Sequence, residues 1–431
     1  MKICVYGLWH LGTVTAACTA NAGLTTIGLD EDELSVSRLK EGIPPLFEPG
    51  LAELVKSGLA SGRLSFTHEV RSAISASDLI WITFDTPVDE EDQADALFVM
   101  NKVESIFPYV RDGGAILISS QLPVGSLRML EHKCETLHNG KQISFAYSPE
   151  NLRLGDAIRC FMQPDRIIVG VRNEKTKQFL SGLFNLFSEK VIWVSPESAE
   201  MTKHALNSYL ATCITFINEI ATLCERVGAE ATDVEFALRS DPRVGHKAYI
   251  KPGTAFGGGT LARDVNFLTK VARQQNLSIP LLESIIPSNQ LHRLWAIRRL
   301  REELGNLEGK KLAIMGLSYK PGTNAVRRSV AVDLCRELAS ARARVVAYDP
   351  QVKIVPDDLV QSVALVQSYK EALENSDGLI IATEWPEFKN LSVDEVVNLM
   401  RNALVIDQNR FLDSSFESNP KIKYVTIGKP S

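Results

Sequence analysis

Short apolar runs that end on glycine or an acid recur along the chain, and stretches of helical character separate them. "KICVYG" predicts a buried strand ending at Gly7, "HLGTVTAACTANAG" a helix ending at Gly23, and "TTIGLD" a second strand ending at Asp30. Strand, glycine turn, helix, strand and terminal acid make a βαβ unit. The alternation continues through "DLIWITF" (Asp78 to Phe84), "AILIS" (Ala115 to Ser119), "ISFAYSPE" (Ile143 to Glu150), "RIIVGV" (Arg166 to Val171) and "VIWVS" (Val191 to Ser195). Continuous apolar strands between helices imply a parallel sheet covered on both faces. A long helical stretch then runs from Ser198 to about Ala231, and a second from about Asp264 to Leu304, broken near Pro280. Strands return with "KKLAIMGLSYKPG" near Lys310, "ARVVAYDP" (Ala343 to Pro350), "GLIIATEWPEF" (Gly378 to Phe388) and "ALVIDQNR" (Ala403 to Arg410). The pattern predicts an α/β chain with two Rossmann-like doubly wound domains, 1–195 and 305–431, joined by a central helical domain, 196–304, with a long helix.

Composition narrows the class. The 431 residues are 45% hydrophobic and 23% charged, with net charge −5, a soluble globular balance that points away from nucleic acid. The basic cluster from Arg293 to Arg301 reads as a solvated helix face. Seven cysteines, odd in number and without CxxC or Cys/His clustering, predict no disulfide and no metal site. They fit a reducing cytoplasm. The start "MKICVYGLWHLG" reads as a strand entering a turn, not as a signal peptide. No apolar run is long enough to span a bilayer, so no membrane partner is expected.

The first candidate site is "GLWHLG". In a GxGxxG turn, backbone N–H groups and a helix N-terminus hold a pyrophosphate. Gly7 and Gly12 take the first and third glycine positions, and Trp9 takes the second. The context matches a dinucleotide site, with a strand before, a helix after and Asp30 about twenty residues on. Asp30 would accept from a ribose 2′-OH, and the run "DEDE" (Asp30 to Glu33) would repel a 2′-phosphate, which favours NAD over NADP. The same turn occurs in α/β proteins without a ligand, and Trp9 could stack on a displaced cofactor; the turn alone leaves these readings open.

Motifs along the chain resemble those of the UDP-glucose/GDP-mannose dehydrogenase family. "FEPGL" (Phe47 to Leu51) resembles its "YEPGL", "DTPVDEEDQAD" (Asp85 to Asp95) its "GTP" loop, "SPENLRLGDAI" (Ser148 to Ile158) its "PEFLREG", and "QPDRIIVG" (Gln163 to Gly170) its "PDRIVIG". "AEMTKHALNSYLATCITFINEIA" (Ala199 to Ala221) is similar to its central helix, "DPRVG" (Asp241 to Gly245) to "DPRIG", and "GLSYKPGTNAVRRS" (Gly316 to Ser329) to "GLAFKPGTDDVRES". The resemblance implies oxidation of a nucleotide-sugar C6 alcohol to a carboxylate by NAD, in a cytoplasmic homodimer serving polysaccharide biosynthesis. It places NAD on the N-terminal domain and the nucleotide sugar on the C-terminal one. By the same resemblance Gly7, Trp9, His10, Leu11, Gly12, Asp30, Thr86 and Gln121 would face the cofactor. Asn151, Leu152, Arg153, Phe256, Gly257, Gly258, Lys320 and Arg327 would face the substrate, and Arg243 the substrate of the neighbouring subunit.

Where the family reads "GFGGSCFPKD", this chain reads "AFGGGTLARD", so the family's nucleophilic cysteine falls on Thr260 and its lysine on Arg263. Its second oxidation runs through a thiohemiacetal and a thioester, for which a thiol of pKa about 8.5 is suited. A threonine hydroxyl needs a dedicated base, and neither a histidine nor a cysteine stands beside Thr260 in the sequence. The family's "STVPVG" is "SQLPVG" here, which puts Gln121 at its water-positioning threonine; Glu150 retains the glutamate of thioester hydrolysis. "TNAVRR" replaces "TDDVRE", so acids are lost at Asn324, Ala325 and Arg328.

The groups for the first oxidation persist. Lys203 and Asn207 stand i,i+4 on one helix face, and Asp264 could orient a water against the alcohol. Lys203 would stabilise developing alkoxide charge. Taken alone, Lys203 also reads as a solvated helix lysine, and Asp264 as an N-cap before "VNFLTKVA". His204 and His246 read as non-catalytic. The catalytic set is therefore Lys203, Asn207, Asp264, Glu150 and the altered Thr260. It implies NAD-dependent oxidation that stops at a carbonyl, with epimerisation by re-reduction as an extension. The alternatives are full four-electron oxidation through a hydrated aldehyde, and an inactive nucleotide-sugar-binding homologue.

Overall fold

The computed structural model describes residues 1–87, 94–137, 140–150, 152–257 and 259–430, and the chain divides into two compact units, 1–205 and 206–431. The first is built on β1 (Lys2–Tyr6), β2 (Thr25–Leu29), β3 (Leu64–Thr67), β4 (Leu79–Ile82), β5 (Ala115–Ile118), β6 (Ser144–Tyr147), β7 (Ile167–Val171) and β8 (Val191–Val194), in the order β3-β2-β1-β4-β5-β6-β7-β8. Strands β4 and β5 are buried at every position, as continuous apolar runs between two helical layers must be. Ile3, Val5 and Trp81 pack on one face with Val14 and Cys18; Cys4, Tyr6 and Ile80 pack on the other with Met100 and Leu130. The strand order reverses between β1 and β4, which leaves a crevice beyond their carboxyl ends where open α/β sheets take ligands.

Two features depart from the expected sheet. Strand β3 joins an edge, and β6 pairs with β7 antiparallel. Among the described residues, the only helix between β6 and β7 is the six-residue Ala157–Met162. This connection returns the chain beside β6 in the opposite direction, where a parallel pair would need a full crossover.

Three helices of this unit matter for the site: α1 (His10–Asn21), α2 (Ser126–Leu137) and α3 (Pro196–Val227). Helix α1 is small-residue-rich and buried from Leu11 to Ala20, which lets it lie close against the sheet. Helix α3 has 32 residues, about 48 Å at the standard rise, and continues into the second unit.

That unit adds α4 (Ala231–Ser240), α5 (Thr260–Gln274), α6 (Pro280–Arg293) and α7 (Trp295–Leu304). A six-stranded parallel sheet follows, made of β9 (Lys311–Met315), β10 (Arg344–Tyr348), β11 (Val363–Leu365), β12 (Gly378–Ile381), β13 (Leu404–Asp407) and β14 (Lys423–Val425). Its order is β11-β10-β9-β12-β13-β14, with α8 (Val330–Ser340) after β9. Helix α5 starts four residues earlier than the sequence suggested, at Thr260, with Gly259 as its N-cap. Asp264 is therefore not a cap; it lies in the second turn. All seven cysteines are free. Among the described residues no helix is long and apolar enough to cross a membrane.

Candidate active site

At the carboxyl end of β1, Gly7 has φ +101°, and a Cβ there would lie 2.8 Å from the Phe84 ring. A Cβ on Gly12 would lie 1.8 Å from the Gly7 carbonyl oxygen. Both glycines are thus fixed by sterics. Trp9 is different: its φ of −73° is open to any residue, and its side chain is 50% exposed. It precedes α1 without a side-chain cap, so the first-turn N–H groups have no capping side chain and are suited to an anion. Asp30 Oδ2 accepts from Leu8 N at 2.7 Å and Oδ1 from Asp32 N at 3.0 Å, which ties the acid to the glycine turn. Beside it, hydrogen bonds from Lys102 and Tyr6 hold the Glu31 carboxyl below its usual range. Together these features fit NAD: a tight glycine cradle, an uncapped helix end, an acid for the ribose and a second negative charge against a 2′-phosphate.

His10 and Leu11 do not both reach outward. Leu11 is buried in the core. His10 Nε2 lies 2.9 Å from Glu48 Oε2. Glu48, the acid of "FEPGL", also accepts from Gly155 N and Ala157 N, each at 2.9 Å. Burial works to raise its carboxyl, but those two N–H groups and His10 outweigh burial and hold it below the usual range. One buried acid thereby joins the glycine turn to the "ENLRLGDA" loop, a link between residues 107 apart that the motif alone did not reveal. In that loop Arg153 is exposed, Leu152 packs against the core, and Asn151 lies outside the described residues.

Thr86 Oγ1 donates to the Gln121 carbonyl oxygen at 2.6 Å, which brings these two cofactor candidates together. Lys203 is 9% exposed. Its Nζ donates to the Glu150 carbonyl oxygen at 2.7 Å and to Glu150 Oε1 at 3.1 Å, while Glu150 Oε2 accepts from Leu152 N at 2.9 Å. The solvated-lysine reading of Lys203 is thereby corrected: the ammonium is buried and held.

In the second unit Asn207, one turn after Lys203 on α3, donates through Nδ2 to Asp264 Oδ2 at 2.5 Å. Asp264 is fully buried. Thr260 stands one turn before it, as the first residue of α5, on a helix end without a side-chain cap. Two of the glycines preceding it, Gly253 and Gly257, have packing reasons. A Cβ on Gly253 would lie 2.5 Å from Asn409 Oδ1, which accepts from Thr254 N and Oγ1, and a Cβ on Gly257 would lie 3.0 Å from the Tyr319 ring. Phe256 is a packing residue: its ring sits with Ala211, Val265 and Ile285, and Asn289 bonds both its N–H and its carbonyl. Gly257 and Lys320 line one cavity of about 310 Å³ with Thr254, Tyr319, Ser329 and Asn409. Of these, only Gly257 and Lys320 were legible from the sequence. Gly258 lies outside the described residues, and Arg327 is exposed. Arg243 pairs with Asp241 and is 89% exposed along its side chain.

Comparison with known proteins agrees in all parts of the chain. Residues 1–188 match the NAD binding domain of the UDP-glucose/GDP-mannose dehydrogenase family, residues 197–291 its central domain and residues 313–414 its UDP binding domain. The UDP-glucose 6-dehydrogenase TuaD of Bacillus subtilis (strain 168) is 34% identical over all of this chain and 94% of its own length. The UDP-glucose 6-dehydrogenase of Rhizobium meliloti (strain 1021) is 32% identical over the full length of both. A solved UDP-glucose dehydrogenase from the archaeon Pyrobaculum islandicum superposes with a TM-score of 0.86 at 29% identity, covering 100% of this chain and 98% of that one.

Proposed function

This chain belongs to the UDP-glucose/GDP-mannose dehydrogenase family and is an NAD-dependent oxidoreductase of nucleotide sugars; we propose that it removes one hydride from its substrate and stops at the carbonyl. The observation that supports this reading is Thr260 at the head of α5, the position to which the motif resemblance assigns the family's cysteine. The two curated relatives named above are UDP-glucose 6-dehydrogenases, and by that likeness the oxidised carbon here is C6.

Gly7, Gly12 and the first turn of α1 would hold the diphosphate of NAD and Asp30 its ribose, and the cofactor would supply the hydride acceptor. Lys203, fixed by Glu150, donates to the substrate oxygen and lowers the energy of the alkoxide as the hydroxyl proton leaves. Asp264, oriented by Asn207, receives that proton through a water. The carbonyl then meets a hydroxyl in place of a thiol, so no thioester forms. Lys320 and the cavity around it hold the nucleotide sugar. Purified protein with NAD and a panel of UDP-, GDP-, CDP- and ADP-sugars tests the reading: NADH and a carbonyl product are expected with one nucleotide class. A uronic acid would reject the halt at the carbonyl, and no NADH with any sugar would reject the oxidation itself.

Trp9 stands at the position where glycine would let a diphosphate approach the backbone most closely. Trp9→Gly is expected to tighten NAD by about tenfold, near 1.4 kcal/mol, in a calorimetric titration. Weaker binding would show instead that the indole is a contact.

The active form is a homodimer. Tyr209, Phe216 and Leu223 recur every seventh residue on α3 and are 60%, 47% and 59% exposed. Arg243, exposed and paired with Asp241, would then be the residue that reaches a substrate on the second copy. Phe216→Glu is expected to give a monomer by light scattering, with activity lost. A dimer that persists with full activity would place the interface elsewhere.

A further inference from the structure

We propose that Glu200 and His204 are positioning residues for the oxidation, fixing the Gln121 loop to the helix that carries Lys203. The inference rests on the reading above, in which Thr86 and Gln121 face NAD. Glu200 is fully buried on α3. Its Oε2 accepts from Gly125 N at 2.6 Å and its Oε1 from Leu127 N at 2.9 Å. Leu127 is the second residue of α2, so the carboxylate closes the positive end of that helix. One turn on, His204 Nε2 lies 3.1 Å from the Leu122 carbonyl oxygen, and that ring nitrogen must carry the proton to donate to it. Thr86 holds the Gln121 carbonyl. The loop from Ser119 to Gly125 is therefore pinned at residues 121, 122 and 125.

Lys203 lies between Glu200 and His204 in sequence and holds Glu150. A single helical segment thus sets the distance from the cofactor loop to the group that stabilises the alkoxide. A rigid element carries that geometry more accurately than separate loops would. A buried acid placed only for stability would be an expensive choice. Burial raises the Glu200 carboxyl above its usual range, against the pull of the two N–H groups. Here one oxygen is spent on the end of the functional loop and the other on the first turn of the helix that follows it.

Glu200→Gln leaves one acceptor for two N–H groups. It is expected to raise the NAD dissociation constant and the KM for NAD several-fold. It should lower kcat by about tenfold, because small misplacements of reacting groups are costly, while the KM for the nucleotide sugar stays unchanged. His204→Leu should reproduce the split, and His204→Gln, which keeps a donor, should restore it. Variants that melt earlier but keep the wild-type NAD affinity and kcat would show a purely structural role and overturn the proposal. Should Glu200→Gln fail to fold, the His204 pair decides. Should the wild type oxidise no sugar, the oxidation has failed. NAD affinity measured by fluorescence then still tests the loop: His204→Leu binding as the wild type does would overturn the positioning role.

Discussion

Lys203→Ala is expected to lower kcat/KM by about 10²- to 10⁴-fold, the range for losing a positioned proton-transfer or charge-stabilising group. Lys203 is 9% exposed and its ammonium is bonded twice to Glu150, which fixes its place. Its removal costs the alkoxide its nearest cation and also leaves Glu150 Oε1 without its partner at 3.1 Å. Lys203→Arg should not rescue, because a planar fork cannot replace a compact point charge at that site. Glu150→Gln provides the contrast. In an enzyme that hydrolyses a thioester, losing this acid would rival losing the lysine. In one that halts at the carbonyl, the acid only holds Lys203, and the loss should stay near tenfold. NAD affinity, read separately, should change little in either variant. A Lys203→Ala protein with kcat/KM within a factor of about three of wild type would remove the lysine from the mechanism.

The sequence exposed the fold where physics writes it plainly. Strands buried on both faces must be continuous apolar runs, so "KICVYG", "DLIWITF" and "GLIIATEW" stood out, and the order of glycine turn and terminal acid marked the crevice. Strands β3, β11 and β14 escaped because each is a three- or four-residue edge with partial exposure. The antiparallel β6–β7 pair escaped because direction depends on the path of a connection, not on strand composition. In the site, the i,i+4 pair of Lys203 and Asn207 was readable from helix periodicity. The bond from Asn207 to Asp264 spans 57 residues and had no local signature. Asp264 also misled the helix boundary: an acid before an apolar run is a strong N-cap signal, and the glycines ahead of it hid a start at Thr260.

That start matters for the second large effect. Wild-type protein is expected to form about one NADH per sugar consumed, and Thr260→Cys about two, with the product becoming an acid. The head of a fifteen-residue helix without a side-chain cap favours a negative charge by about 0.3–1 kcal/mol. One pKa unit is 1.36 kcal/mol, so the helix moves the group beside it by less than a unit. For a thiol near 8.5 that is enough to raise the thiolate fraction at neutral pH. For a hydroxyl it is far too little. On the proposed reading the head of α5 is a thiolate site with the sulfur missing, and restoring the sulfur should restore the second oxidation. Thr260→Ala completes the test. If the hydroxyl has no chemical part, the alanine variant keeps a ratio near one and most of the rate. A wild-type ratio near two that falls to one in the alanine variant would make Thr260 the nucleophile. A wild-type ratio near two that survives the alanine substitution would mean that water alone attacks the aldehyde, and the second hydride would need no covalent intermediate at all.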